Sequence, residues 1–190
     1  MKITETKIKD LFIIEPDVFG DDRGFFVETY NEERYIRSGI NDKFVQDNLS
    51  KSVKGVLRGL HFQKNPYAQG KLVQVITGSV LDVAVDIRYG SETFGQWVSI
   101  KLSSENKKQF WIPRGFAHGF LSLEDETIFN YKCTNLYHPE SEGAITWNDK
   151  QLNIDWQLEK NGIDEPIISD KDKENVPFCN IDKDFIYEKK

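Results

Sequence analysis

Residues 80–88 alternate without a break. Leu81, Val83, Val85 and Ile87 fall on one side of an extended chain, and Asp82, Ala84, Asp86 and Arg88 on the other. A period of two fits a β-strand and no helix, and one polar face predicts a half-buried strand. The pattern returns at residues 97–102, where Val98, Ile100 and Leu102 oppose Trp97, Ser99 and Lys101. It returns again at residues 128–133, where Phe129, Tyr131 and Cys133 oppose Ile128, Asn130 and Lys132. Residues 11–14 and 71–76 are shorter strand-like runs. Turn chemistry separates them: Phe19-Gly20-Asp21-Asp22-Arg23-Gly24, Thr77-Gly78-Ser79, Tyr89-Gly90-Ser91 and Pro113-Arg114-Gly115. Strands this closely spaced predict an all-β antiparallel sandwich or barrel. One short helix is expected at residues 31–38, capped by Asn31 and ended by Gly39.

The chain has 190 residues, which fits one domain over 1–190. From about residue 155 it turns more polar and carries Pro166 and Pro177, so this part is expected to pack on the β body as short helices and loops. A net charge of −6 argues against a nucleic-acid surface, which needs clustered Lys and Arg, but leaves room for a basic pocket that takes one small anion. Four Trp, seven Tyr and thirteen Phe supply core volume. No apolar run is long enough to span a membrane, and the first residues show no signal-peptide stretch. Cys133 and Cys179 do not make a disulfide framework, so two reduced thiols in a cytoplasmic protein are expected.

With only three histidines, each can be weighed. Gly55-Val56-Leu57-Arg58-Gly59-Leu60-His61 and Pro113-Arg114-Gly115-Phe116-Ala117-His118 resemble the two motifs of the cupin superfamily, small double-sheet jelly rolls. The metal-binding version of the first motif is broken here: Phe62 and Gln63 follow His61, and no Glu follows at the right distance. Two histidines without a third ligand make a poor transition-metal site, so no metal is expected. Arg58 and His61 stand three apart, which puts them on opposite faces of a regular strand, unless Gly59 hosts a bulge that turns both inward.

A closer resemblance runs through Phe44-Val45-Gln46-Asp47-Asn48, Leu57-Arg58-Gly59-Leu60-His61-Phe62-Gln63, Gln69-Gly70-Lys71-Leu72-Val73, Asp82-Val83-Ala84-Val85-Asp86-Ile87-Arg88 and Tyr131-Lys132-Cys133-Thr134. Together with Asp22-Arg23-Gly24-Phe25-Phe26, Trp147-Asn148-Asp149 and Ser169-Asp170-Lys171-Asp172, these blocks stand in order over roughly residues 8–177. They resemble the dTDP-4-dehydrorhamnose 3,5-epimerase family. That family's substrate is a nucleoside-diphosphate 4-keto-6-deoxyhexose, whose C3 and C5 protons lie α to the C4 ketone. The ketone is its own electron sink, so no cofactor is expected.

The resemblance implies a role for each matching residue. His61 is the base, and an unperturbed imidazole, with a pKa of about 6.5, is available near neutrality. Asp172 is its carboxylate partner, chosen over Asp170 by the Ser-x-Lys-Asp pattern. Tyr131 donates a proton on the far face, and Lys71 faces the developing oxyanion. Arg23, Glu28, Gln46, Asp47, Asn48, Arg58, His118, Glu142 and Lys171 map onto substrate contacts, with the guanidinium groups of Arg23 and Arg58 suited to a diphosphate. Phe19 and Tyr137 are candidates to stack on the base. Taken alone, Lys71 also fits a solvated strand end, His118 a packing histidine, and Phe19 and Tyr137 core or rim aromatics. The family further implies a homodimer that exchanges N-terminal strands, with Arg23 or Glu28 reaching the neighbouring site.

Two departures from the family pattern are Leu136 beside Tyr137, where some members pair two tyrosines, and Leu49, where many have His. The first keeps epimerisation at C3 or C5 alone open as a variant. Three other readings remain: a non-catalytic sugar-nucleotide-binding cupin, a metal-dependent cupin oxygenase or isomerase, and a sugar 3,4-ketoisomerase.

Overall fold

A computed structural model describes residues 1–188. Its strands, in chain order, are β1 (Lys2–Glu5), β2 (Phe12–Glu15), β3 (Val18–Asp21), β4 (Gly24–Val27), β5 (Gln46–Ser52), β6 (Leu57–Gln63), β7 (Lys71–Thr77), β8 (Ser79–Asp86), β9 (Trp97–Ser103), β10 (Gln109–Ile112), β11 (Phe116–Ser122), β12 (Thr127–Cys133) and β13 (Glu142–Ala144). Two short helices, α1 (Glu32–Arg37) and α2 (Asp170–Lys173), complete the regular structure with three 3₁₀ turns. One sheet runs β1-β2-β10-β7-β12-β5 and a second runs β13-β6-β11-β8-β9, while β3 and β4 form a hairpin of their own. The two large sheets pack face to face in the cupin-type jelly roll expected from the sequence. No helix among the described residues is long and apolar enough to cross a membrane.

Alternation along each strand sorts side chains into layers. Between the sheets lie Val73, Val75, Phe110 and Phe129 from the first and Val80, Ala84, Phe116 and Phe120 from the second. Behind the first sheet, Tyr35 and Ile40 from α1 and the turn after it cover Leu72 and Trp111. Asn31 caps α1 by accepting from the Arg34 amide at 3.2 Å, and Gly39 leaves it at φ +91°, as the sequence predicts. Behind the second sheet, Leu152, Trp156, Ile163, Phe178 and Phe185 of the C-terminal part cover Leu81, Val83 and Val85. That part is stitched on by Leu57 N–H to Ile167 O at 2.9 Å, Trp97 Nε1 to Leu152 O at 3.0 Å and a parallel bridge from Ile145 to Val176.

This packing corrects one expectation. β8 is not half-buried; every residue of it is buried. Its polar face turns into the protein because the charges there are answered from within. Arg88 clamps Asp86 through Nε and Nη2, both at 2.9 Å, and His118 meets Asp82.

The pairing of β6 with β11 is irregular. His118 lies opposite His61 and Phe120 opposite Arg58, so three steps on β6 match two on β11. The extra residue is a bulge at Gly59 and Leu60. Leu57 and Leu60 both pack into the layer behind the sheet, and Arg58 and His61 both line the cavity between the sheets. Gly59 sits at φ +140°, and a Cβ there would meet Gly119 Cα at 2.5 Å. Gly59→Ala is therefore expected to lower stability by about 2–4 kcal/mol in urea denaturation. Gly90→Ala, at φ +87° with nothing within 4 Å, is expected to cost only about 1 kcal/mol. Equal losses would contradict the close-approach account.

Candidate active site

At one end of the sandwich the interlayer opens into two adjoining cavities of about 260 and 270 Å³ that share His61, Lys71 and Tyr131. Each of these side chains comes from a strand whose inward parity is set by the core. Lys71 continues the face of Val73 and Val75 on β7, Tyr131 that of Phe129 on β12, and His61 enters through the bulge on β6. His61 and Tyr131 thus come from opposite sheets. A larger open cleft of 640 Å³, lined by residues 147–150 and 153–160, holds no histidine or tyrosine. Among the described residues no group of three or more His, Cys, Asp and Glu side chains has a metal-ligand arrangement.

His61 Nε2 lies 2.5 Å from Asp172 Oδ1. Asp172 is almost fully buried, while the imidazole keeps part of its surface open. The carboxylate stands there because Ser169 caps α2, accepting from the Asp172 amide at 3.1 Å. One helical turn aims Asp172 inward and leaves Asp170 outside, paired with Lys173 at 2.8 Å. Asn175 Nδ2 spans the Gly59 carbonyl at 3.3 Å and Asp172 Oδ1 at 3.5 Å. Burial opposes the charge on Asp172, but the hydrogen bond and charge of His61, with those from Ser169 and Asn175, hold the carboxyl below its ordinary range. The pair can take up a proton at His61 and stabilise the imidazolium.

Burial pushes the Tyr131 phenol above its usual range, so it keeps its proton at neutral pH. Burial pushes the Lys71 ammonium down, against Cys133, Asp82 and Glu142, which favour the charged form. His118 lines the same cavity and points Nε2 at both oxygens of Asp82, 3.0 Å from each. Burial also lowers the His118 imidazole, with Asp82 opposing.

At the mouth, Glu142 Oε2 accepts from the Tyr137 hydroxyl at 2.8 Å and from Lys171 Nζ at 2.5 Å. Gln46 Oε1 accepts from the Tyr137 amide at 2.9 Å, and Gln46 Nε2 donates to Asn48 Oδ1 at 3.0 Å. Tyr137, Glu142, Lys171, Gln46, Asn48 and Arg58 therefore ring the two cavities.

Four residues named from the sequence are not brought there. Asp47 faces the other side of β5 and pairs with Lys132 at 3.0 Å. Phe19, Arg23 and Glu28 lie on or just after the β3–β4 hairpin, away from the cavity. Arg23 is 90% exposed and pairs with Asp21, and Glu28 pairs with Arg34. The sequence reading missed Asp82, Asn175 and Ser50. Ser50 Oγ is buried without a hydrogen-bond partner among the described residues, and Ser50 lines the cavity. The signal available for Asp82 was an acid on a strand whose other face carries Leu81, Val83 and Val85; nothing local marks Asn175 or Ser50.

The family model described as dTDP-4-dehydrorhamnose 3,5-epimerase matches residues 5–180. The dTDP-4-dehydrorhamnose 3,5-epimerase of Methanothermobacter thermautotrophicus is 53% identical over 177 residues, covering 93% of this chain and 94% of its own. That of Shigella flexneri is 52% identical over 183 residues, covering 96% and 98%. The crystal structure of the Legionella pneumophila dTDP-6-deoxy-D-glucose-3,5-epimerase in complex with dTDP-4-keto-L-rhamnose superposes with a TM-score of 0.94 at 53% identity, covering 99% of both chains.

The depressed Asp172 carboxyl has a consequence for stability. A lowered folded-state value means that its contribution is present above the unfolded value, near pH 4, and is lost as pH falls through the folded value. Asp172→Asn is expected to flatten the rise of unfolding free energy with pH below about pH 4 by one carboxylate's worth. Urea titrations from pH 2 to 5 check this, and curves for wild type and variant that stay parallel below pH 4 would contradict the pairing.

Proposed function

Because the chain belongs to the dTDP-4-dehydrorhamnose 3,5-epimerase family, we propose that the cavity between its two sheets binds the 4-keto sugar between a base on one wall and an acid on the other. The protein is an isomerase of dTDP-rhamnose biosynthesis. It converts dTDP-4-dehydro-6-deoxy-D-glucose to dTDP-4-dehydro-L-rhamnose by inverting C3 and C5. The observation that carries the assignment of roles is that His61, with Asp172 behind it, and Tyr131 enter one cavity from opposite sheets.

His61 removes the proton α to the ketone, and Asp172 stabilises the imidazolium that forms. Electron density moves to the ketone oxygen, where the Lys71 ammonium offsets the growing charge in a site shielded from bulk water. Tyr131 returns a proton to the opposite face of the carbon, inverting it. The same cycle at the second carbon completes the reaction, and each cycle returns the protein groups to their starting states through solvent.

Arg58, Gln46, Asn48, Glu142 and Lys171 hold the nucleotide end at the mouth, Arg58 by its fit to phosphate oxygens and Tyr137 by stacking. The β3–β4 hairpin belongs to a homodimer. Among the described residues it pairs with no other strand, and it exposes Phe19 (64%), Phe25 (59%) and Phe26 (68%) and carries Arg23 and Glu28 away from the cavity of its own subunit. In a two-fold dimer it supplies these residues to the neighbouring site.

Tyr131→Phe is expected to exchange α-deuterium with solvent while losing net inversion, because the base still removes and returns a proton on its own face. His61→Ala is expected to lose exchange and inversion together, by about 10²–10⁴-fold. A His61→Ala variant with wild-type exchange would contradict the base assignment. Mixing inactive Arg23→Ala with inactive His61→Ala under subunit exchange is expected to restore about one quarter of wild-type sites, since half of random dimers are mixed and one site in each is intact. No recovery in confirmed mixed dimers would place Arg23 in its own subunit's site.

A further inference from the structure

Two carboxylates on the same face of β8, Asp82 and Asp86, are fully buried. Asp86 is answered in full: Arg88 binds it with Nε and Nη2, Ser91 Oγ donates at 2.7 Å and Thr93 Oγ1 at 2.6 Å. Asp82 has no such escort. Its one hydrogen-bond partner among the described residues is His118 Nε2, shared between its two oxygens. A buried charge without a cationic hydrogen-bond partner is disfavoured, and one imidazole N–H returns only part of its lost hydration. Packing does not explain Asp82; the groups its charge acts on do.

His118, the group Asp82 holds, lines the cavity with Lys71, His61, Tyr131 and Asp172. With Nε2 committed to Asp82, Nδ1 is the ring nitrogen left for a ligand, and it makes no hydrogen bond among the described residues. From this placement we infer that Asp82 is a positioning residue for His118. It fixes His118 as the Nε2–H tautomer, so that Nδ1 accepts a hydrogen bond from a sugar hydroxyl. This deepens the epimerase reading and rests on the substrate contact proposed for His118.

Two measurements test the inference, the first independent of activity. With three histidines in the chain, ¹⁵N-NMR of wild type, assigned with His118→Gln, reads the tautomer directly. Nε2–H with a lone pair on Nδ1 is expected, and the opposite tautomer overturns the inference. In Asp82→Asn, a near-isosteric change, the His118 signals are expected to shift toward mixed tautomers, and KM for the keto sugar to rise by about threefold or more while kcat changes less. A folded Asp82→Asn that keeps the wild-type His118 tautomer and the wild-type KM overturns the inference. If the variant does not fold, Asp82→Glu, which restores the carboxylate, must keep the Nε2–H tautomer; its loss overturns the inference. Wild type that binds the keto sugar without turnover would instead sink the epimerase reading, and the NMR result would still decide the tautomer.

Discussion

The active centre depends on a backbone contact, Gly59 against Gly119, where β6 takes three steps to two on β11. Without that extra residue Arg58 and His61 would fall on opposite faces of the strand, one in the cavity and one in the apolar layer behind the sheet. With it, Leu57 and Leu60 both fill that layer, and the cationic and the basic side chain both face the substrate space. No side chain fits at Gly59, and the same glycine's carbonyl anchors Asn175, which reaches Asp172. The irregular strand and the C-terminal segment are thereby held to each other at the point where His61 meets its carboxylate.

The chemistry follows from what burial does to four different groups. It raises the phenol of Tyr131, which keeps that proposed donor protonated. It works against the charge on Lys71, which Cys133, Asp82 and Glu142 favour in return. Asp172 stays ionised because its hydrogen bonds outweigh burial, and His118 is pressed toward neutrality despite Asp82. The phenol proposed as proton donor thus stays protonated in the same cavity where the carboxylate beside the proposed base stays ionised.

Much of this was legible in the sequence, for identifiable reasons. Strand positions follow from alternation and turn chemistry, and both are local. The burial of β8 was not legible, because a row of Asp82, Asp86 and Arg88 looks solvated until it is known that Arg88 folds back on Asp86 and that His118 arrives from β11. The residues of the cavity were readable because the motifs around His61, Lys71, Tyr131 and Asp172 match a family as a set. Choosing Asp172 over Asp170 rested on that match, and the geometry of α2 supplies its physical basis: Ser169 caps the turn and points Asp172 inward. Asn175 and Ser50 carry no local mark, since their importance comes from strands and loops far away in sequence.

The central claim is that two different groups, on opposite walls, take and give the proton. Wild-type protein turning over its keto sugar in deuterated water tests it most directly, with C3 and C5 of the product followed by NMR. The account predicts solvent deuterium at both carbons of the inverted product. Inverted product that keeps the substrate's own hydrogen at either carbon would mean that one group carries the proton across, and would contradict it.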